Sequence, residues 1–263
     1  MLTPWWQQPF ATVTHFPGLE RNMIILYGIG PGFNLPEISP FVTKTEVQLK
    51  MAGLAYQKKP ARPADSPKGQ VPFIDDEAER VADSSFIRSY IERKYGFDFD
   101  AGLDLQQRAQ AWAIERMIEH HLYSALLAAR WINAENFAKG PAHFFDGAPE
   151  AQRQSLRDAA RTAVEEKYHL LGLGRHSPDE ALELAGRSLM ALSVLLGGKL
   201  YLTGSQPCGV DATAFAVLAG ILTPFFESPL RQRALLFGNL TAYVDRMMEM
   251  FYPEHVWKCS VAA

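Results

Sequence analysis

The sequence predicts an α+β protein, with a small strand-and-helix unit up to about residue 100 and a second part built from helices alone. Three observations predict it. Before residue 100, short apolar runs alternate with turns. After it, apolar residues recur at helical spacing in long segments. No internal repeat or low-complexity tract interrupts either half. The expected division is an N-terminal extension (residues 1–22), the strand-and-helix unit (23–100) and the helical part (101–263).

In the first half, Met23 to Tyr27 reads as a buried strand from its run length and β-branched content. Gly28 to Ile38 is a loop broken by Gly and Pro. Ser39-Pro40 opens a helix, with Ser as N-cap and Pro at the first helical position. Phe41, Val42, Thr45, Leu49 and Ala52 share one face of that helix, and Val47 and Met51 lie opposite, so it should be covered on two sides. Gly53 supplies a left-handed stop. Gln57 to Gly69 holds three prolines and reads as an irregular connection. Val71–Asp75 and Arg80–Asp83 form a hairpin around Asp76–Glu79, taken as a solvated turn. Phe86, Ile87, Tyr90 and Ile91 then mark a helix that begins at Asp83-Ser84 and ends near Gly96.

In the second half, Leu105 to Trp131 and Glu150 to Leu171 are long periodic segments. Ser177-Pro-Asp-Glu180 is a capping box, and its helix stops at Gly197-Gly198. Pro207-Cys-Gly-Val-Asp211 leads into an apolar helix, Ala212 to Leu222. Ser228-Pro229 starts a last helix that Pro253 ends.

Composition excludes several classes of function. The 263-residue chain carries 26 Lys and Arg against 29 Asp and Glu, without a basic block, which argues against a nucleic-acid binder. No run reaches eighteen apolar residues, so no transmembrane segment is expected. Residues 1–22, with Trp5 and Trp6, lack the charged-then-apolar pattern of a secretory signal; they read as an arm packed on the body or, alternatively, as a partner-binding arm. The two cysteines, Cys208 and Cys259, make neither a disulfide framework nor a metal cluster and suit a reducing cytoplasm. His120 and His121 point about 100° apart on a helix and do not share a metal-binding face.

Taken in order, four local features resemble the glutathione S-transferase superfamily over about residues 23–252. They are Leu26-Tyr27 with Ser39-Pro40-Phe41, Gly69-Gln70-Val71-Pro72, Asp83-Ser84, and Pro207-Cys208-Gly209-Val210-Asp211. The stretches Ser39–Val42, Leu49–Gly53 and Val81–Ser84 also resemble its metaxin and failed-axon-connections branch. The resemblance implies a thioredoxin-like N-terminal domain followed by an all-α domain, glutathione as co-substrate, a small apolar electrophile and a homodimer, with no metal. It implies a cis peptide at Val71-Pro72, which exposes the backbone N–H and C=O of Val71 to a peptide as a strand edge would. Asp83 and Ser84 would take the γ-glutamyl group at a helix N-terminus, and Gln70 would reach the glutathione backbone. The branch implies an alternative, a scaffold of the same fold that binds another protein through its N-terminal arm and long loop.

The implied chemistry is thiol activation. A free thiol with a pKa near 8.5 is only about 3% ionised at pH 7, and a shift of about two units costs about 2.7 kcal/mol. One or two hydrogen bonds from the protein to the charged sulfur, worth roughly 1.5–3 kcal/mol each, supply that. Two hydroxyls compete for the role. Ser39 resembles the serine of serine-type transferases and has the helix dipole in its favour; Tyr27 resembles the tyrosine of tyrosine-type enzymes. The eleven residues between them, 28–38, look longer than the usual loop. Cys208 stands where the second-domain capping motif normally has Ser or Thr, so Asp211 should carry more of that helix start.

Overall fold

The computed structural model describes residues 23–257. The expectations for residues 1–22 and Cys259 lie outside the described residues.

A four-stranded sheet in the order β2-β1-β3-β4 forms the first half. Strand β1 (Ile24–Gly28) pairs parallel with β2 (Tyr56–Pro60) and antiparallel with β3 (Phe73–Asp76), which pairs antiparallel with β4 (Glu79–Ala82). Helices α1 (Pro40–Met51) and α2 (Ser84–Tyr95) cover one face. Ile24, Leu26 and Ile74 meet Val42, Leu49, Ile87 and Ile91 there in a single apolar core. Because side chains alternate along a strand, Ile25 and Tyr27 project from the opposite face.

Strand β2 corrects the irregular connection expected over 57–69. Its sequence, Tyr-Gln-Lys-Lys-Pro, carries almost no apolar signal because it is an edge strand with three exposed residues. The acidic turn also differs from expectation. Glu77 sits at φ 58° in a two-residue hairpin turn, but Asp76 is buried and accepts hydrogen bonds from Tyr90 and Tyr95.

The helical half begins with α3 (Leu105–Met117), which passes through a π-helical turn (Ile118–Leu122) into α4 (Tyr123–Trp131). The expected single segment is thus continuous but shifts its face in the middle. Next come α5 (Ala134–Lys139), α6 (Glu150–Leu170), α7 (Pro178–Leu196) and α8 (Gly209–Leu222). The expected last helix is two, α9 (Pro229–Leu235) and α10 (Gly238–Phe251), because the chain leaves helical geometry at Phe237.

Every residue of α8 is buried, which fits a helix apolar on all sides. Its start rests on Asp211, as the weak Cys208 cap requires. The Asp211 carboxylate accepts the N–H of Cys208 at 2.9 Å, the N–H of Leu202 at 3.0 Å and the Tyr243 hydroxyl at 3.1 Å. Burial, reinforced by Asp211, pushes the Cys208 thiol up to about 12, so it stays protonated and inert.

Helix α1 lies between the sheet and α8, covered on both sides as its pattern predicts. Polar side chains share that burial. Lys44 reaches Glu115 and Glu119 at 2.6 and 2.7 Å, and Glu46 takes Lys58, Tyr56 and Tyr252. The two halves therefore meet across paired charges as well as apolar surface.

Candidate functional site

The sheet topology brings the expected residues to one edge. The C-terminal end of β1 lies beside the N-terminal end of β3, since Tyr27 pairs with Phe73. Phe73 in turn pairs with Ala82 at the end of β4. The β1–α1 loop, the Val71-Pro72 turn and the start of α2 must therefore leave the sheet side by side. The carboxyl ends of the parallel strands β1 and β2 open at the same edge, the usual place for a site in an open α/β sheet.

The Val71-Pro72 peptide is cis. The carbonyl of Pro72 accepts the Asp83 N–H at 3.1 Å, tying the turn to the start of α2. The N–H and C=O of Val71 take part in no backbone hydrogen bond among the described residues, so a strand-like edge stays open. Gln70 is exposed beside it.

Asp83 is the N-cap of α2, with φ 81°, and its carboxylate accepts the Ser85 N–H at 2.9 Å. Ser84 is the first helical residue and only 4% exposed. One cation near this terminus escapes the sequence reading: the Lys68 ammonium lies 3.7 Å from the centre of the Phe86 ring on α2. Its signal would have been a cation–π pair, but Lys68 and Phe86 are eighteen residues apart and no periodicity links them.

Ser39 occupies the N-cap position of α1, with extended backbone angles of −85° and 119°. Its side chain makes no capping hydrogen bond, which leaves the hydroxyl available. Its backbone N–H instead donates to Glu37, 3.1 Å away. Glu37 is 1% exposed and also accepts the N–H groups of Ile29 and Gly30. Lys58 neutralises it at 3.1 Å. The sequence reading missed Glu37, which looks there like any polar loop residue. Its carboxylate folds the 28–38 insertion onto the start of α1.

Tyr27 is placed differently. Its ring stacks on Phe73 at 4.2 Å on the sheet face away from α1, and its hydroxyl donates to Asp75 at 2.9 Å. Burial and that hydrogen bond push its pKa up. Asp75 is held below the usual carboxylate range by the Arg80 guanidinium. The structure therefore gathers Ser39, Val71, Pro72, Asp83 and Ser84 at one edge, with Gln70 adjoining, and turns the Tyr27 hydroxyl elsewhere.

Aromatic residues form the wall on the helical side. Phe41, two residues after Ser39, meets Tyr123 of α4 edge-on at 4.7 Å. Phe33, from the insertion, sits against Phe144, Phe225 and Phe226. Its carbonyl accepts the Thr223 hydroxyl at 2.6 Å. The insertion is thus strapped to the helical half rather than loose. Among the described residues, no group of three or more His, Cys, Asp and Glu side chains could hold a metal ion. His121 instead pairs its Nδ1 with the Ser188 hydroxyl at 2.9 Å.

Comparison with known proteins fits this geometry. Two family models match, the glutathione S-transferase N-terminal domain over residues 40–136 and the glutathione S-transferase C-terminal domain over residues 185–247. The chain is 34% identical over 242 residues to the isoprene-epoxide–glutathione S-transferase of a Rhodococcus strain, covering 87% of this chain and 99% of that protein. It is 29% identical over 260 residues to Failed axon connections of Drosophila melanogaster, covering 91% of this chain and 60% of that protein. Among solved structures, a beta-etherase from Sphingobium superposes with a TM-score of 0.59 at 19% identity, covering 88% of this chain and all of that one, 100%. Likeness at that identity shows the fold, and the Rhodococcus relative carries the kinship further: this chain belongs to the glutathione S-transferase superfamily.

Proposed function

We propose that the protein is a glutathione transferase that adds the glutathione thiolate to a small apolar electrophile, an epoxide being the first class to try. The epoxide follows from the name of the Rhodococcus relative. One observation carries the reading: the unpaired backbone edge of Val71 lies at the same end of the sheet as the N-termini of α1 and α2. In this reading, Val71 pairs with the peptide backbone of glutathione, while Pro72 fixes the turn that presents it. Gln70 reaches the same backbone from the exposed side. The γ-glutamyl carboxylate sits at the first turn of α2 with Ser84, where free N–H groups and the helix dipole favour an anion. Asp83 faces the ammonium of the same group.

The sulfur then lies over Ser39, whose hydroxyl donates to the thiolate at the N-terminus of α1. Attack forms a carbon–sulfur bond and breaks a carbon–oxygen bond of the epoxide. The electron pair goes to the oxygen, which takes a proton from solvent. Phe41 and Tyr123 supply an apolar wall for the carbon skeleton. Titration with millimolar glutathione, followed by conjugation of a small epoxide, tests the proposal. Release of heat and turnover that falls in Ser39→Ala support it, and a flat titration with no rise in melting temperature sinks it.

A second reading, a scaffold that binds another protein, has its own support. The chain aligns along 91% of its length with Failed axon connections. Helix α7 also exposes Met190 (56%) and Val194 (74%), an apolar pair one turn apart. Glutathione turnover that depends on Ser39 counts against it. Homodimerisation and a cytoplasmic setting accompany the transferase reading; sedimentation of the purified chain tests the first.

A further inference from the structure

Arg130, near the end of α4, is the cation that the site does not explain. It is 6% exposed, and among the described residues it has no carboxylate partner. Its Nη1 donates to the Ile38 carbonyl at 3.2 Å and its Nη2 to the Gly220 carbonyl at 3.0 Å, while its Nε is buried without a partner. The rings of Phe33 and Phe226 flank the guanidinium, 5.8 and 5.4 Å away. Two carbonyls and two rings only partly repay the loss of water around a buried charge. Burial, only partly opposed by Tyr123, drags its pKa down to about 10, which still leaves it charged at neutral pH.

The position matters because Ile38 immediately precedes Ser39. We propose that Arg130 is a positioning residue whose uncompensated charge, seated behind the N-terminus of α1, lowers the pKa of the thiol held at Ser39. This rests on the transferase reading above. The local charge balance supports it. Glu37 lies on the same loop, and its negative charge would disfavour a thiolate, but Lys58 pairs with it at 3.1 Å; Lys58 also holds Glu46, which Lys50 approaches at 3.9 Å, so two ammonium groups offset the two carboxylates. What remains at the corner is the positive charge of Arg130 and the N-terminal pole of α1. Tyr123 on α4 is the titratable group that acts on Arg130 directly; one layer further out, Lys139 lies over the Phe225 ring, which packs on Phe33 and Phe226, and His255 meets the Asn34 carbonyl of the insertion. Burial pushes Tyr123 upward, so it stays neutral at working pH. Helix α8 contributes only the Gly220 carbonyl here.

The test is the ultraviolet absorbance of the bound thiolate, titrated with pH in the full chain. In Arg130→Gln, which keeps a donor for the carbonyls but loses the charge, the bound thiol pKa should rise by at least about one unit, the usual effect of a nearby opposite charge. Activity below that pKa should fall about tenfold and recover at higher pH, with the KM for glutathione nearly constant. Arg130→Lys should restore the thiol pKa. Glu37→Gln probes the same balance from the other side and should lower it, which keeps the proposal testable if Arg130→Gln does not fold. An unchanged thiol pKa in Arg130→Gln or in Glu37→Gln overturns the proposal. Failure of the unaltered protein to bind glutathione overturns the transferase reading instead, and this inference with it.

Discussion

Lys44 of α1 places its ammonium 2.6 Å from the Glu115 carboxylate of α3, and the two side chains are only 1% and 2% exposed. Burial pushes Glu115 up, but Lys44, Arg88 and Arg116 outweigh it and hold its pKa below the ordinary carboxylate value. The sign of the linkage follows. A group with a depressed folded pKa contributes stability that is complete above its unfolded pKa, about 4.3, and is lost as pH falls through the folded one. Glu115→Gln should therefore cost about 3–5 kcal/mol at neutral pH, the usual result of breaking a buried pair. It should also flatten the acid limb of stability below about pH 4. Urea midpoints across pH check this, and parallel curves for the two proteins would refute it.

The two candidate hydroxyls separate cleanly. Ser39 is proposed to donate to the charged sulfur, so Ser39→Ala should lose roughly 1.5–3 kcal/mol of thiolate stabilisation. Its kcat/KM should drop about 10- to 100-fold, with little change in melting temperature, because the hydroxyl makes no capping bond. Tyr27→Phe should do the reverse. Activity should hold within about twofold, while stability falls by about 1 kcal/mol as the Asp75 carboxylate loses a donor. Comparing kinetics and melting in both variants decides it, and a collapse of activity in Tyr27→Phe would reverse the assignment.

This contrast also marks how far the sequence can be read. Helix starts at Ser39-Pro40, Asp83-Ser84 and Ser177-Pro178 are local signals, and the chain keeps them. Val71-Pro72 and Asp83 are legible as a pair because one hairpin joins them. What stayed hidden is set by long-range partners. Lys44, Glu46 and Glu37 look like solvent-facing residues until α3, β2 and α10 close over them. Strand β2 was invisible because its pairing with β1, rather than its own side chains, makes it a strand. Arg130 gave no warning because its partners are carbonyls, which every sequence has.

Gly28 tests how closely the insertion is fitted. A Cβ added there would lie 2.7 Å from Cγ1 of Val42 and 2.9 Å from Oε2 of Glu37. Val42 is fully buried and Glu37 is pinned by backbone N–H groups, so neither yields easily. Gly28→Ala should cost about 1–3 kcal/mol, in the range of core overpacking. Since Glu37 orients the Ser39 N–H, activity should fall more than the loss of stability alone explains. Thermal melts beside kinetics measure both, and an unperturbed variant would mean that the strap is slack.

In the proposed grip on glutathione, backbone and side-chain contacts can be told apart by substitution. Val71 is proposed to act through its N–H and C=O, so Val71→Ala should leave the dissociation constant within about threefold, a change of less than 1 kcal/mol. Ser84 is proposed to act through its hydroxyl on a carboxylate. Loss of one such charge-assisted bond, about 1.5 kcal/mol, should weaken binding about tenfold in Ser84→Ala. Asp83→Asn probes the ammonium contact and keeps a side-chain acceptor for the Ser85 N–H, so α2 retains its cap. Binding should weaken there without a fall in melting temperature. Calorimetric titration of the three variants gives the order: Val71→Ala nearly intact, Ser84→Ala and Asp83→Asn both impaired. If Val71→Ala lost binding while Ser84→Ala kept it, glutathione would have to lie across the turn in another orientation, with its γ-glutamyl end away from α2.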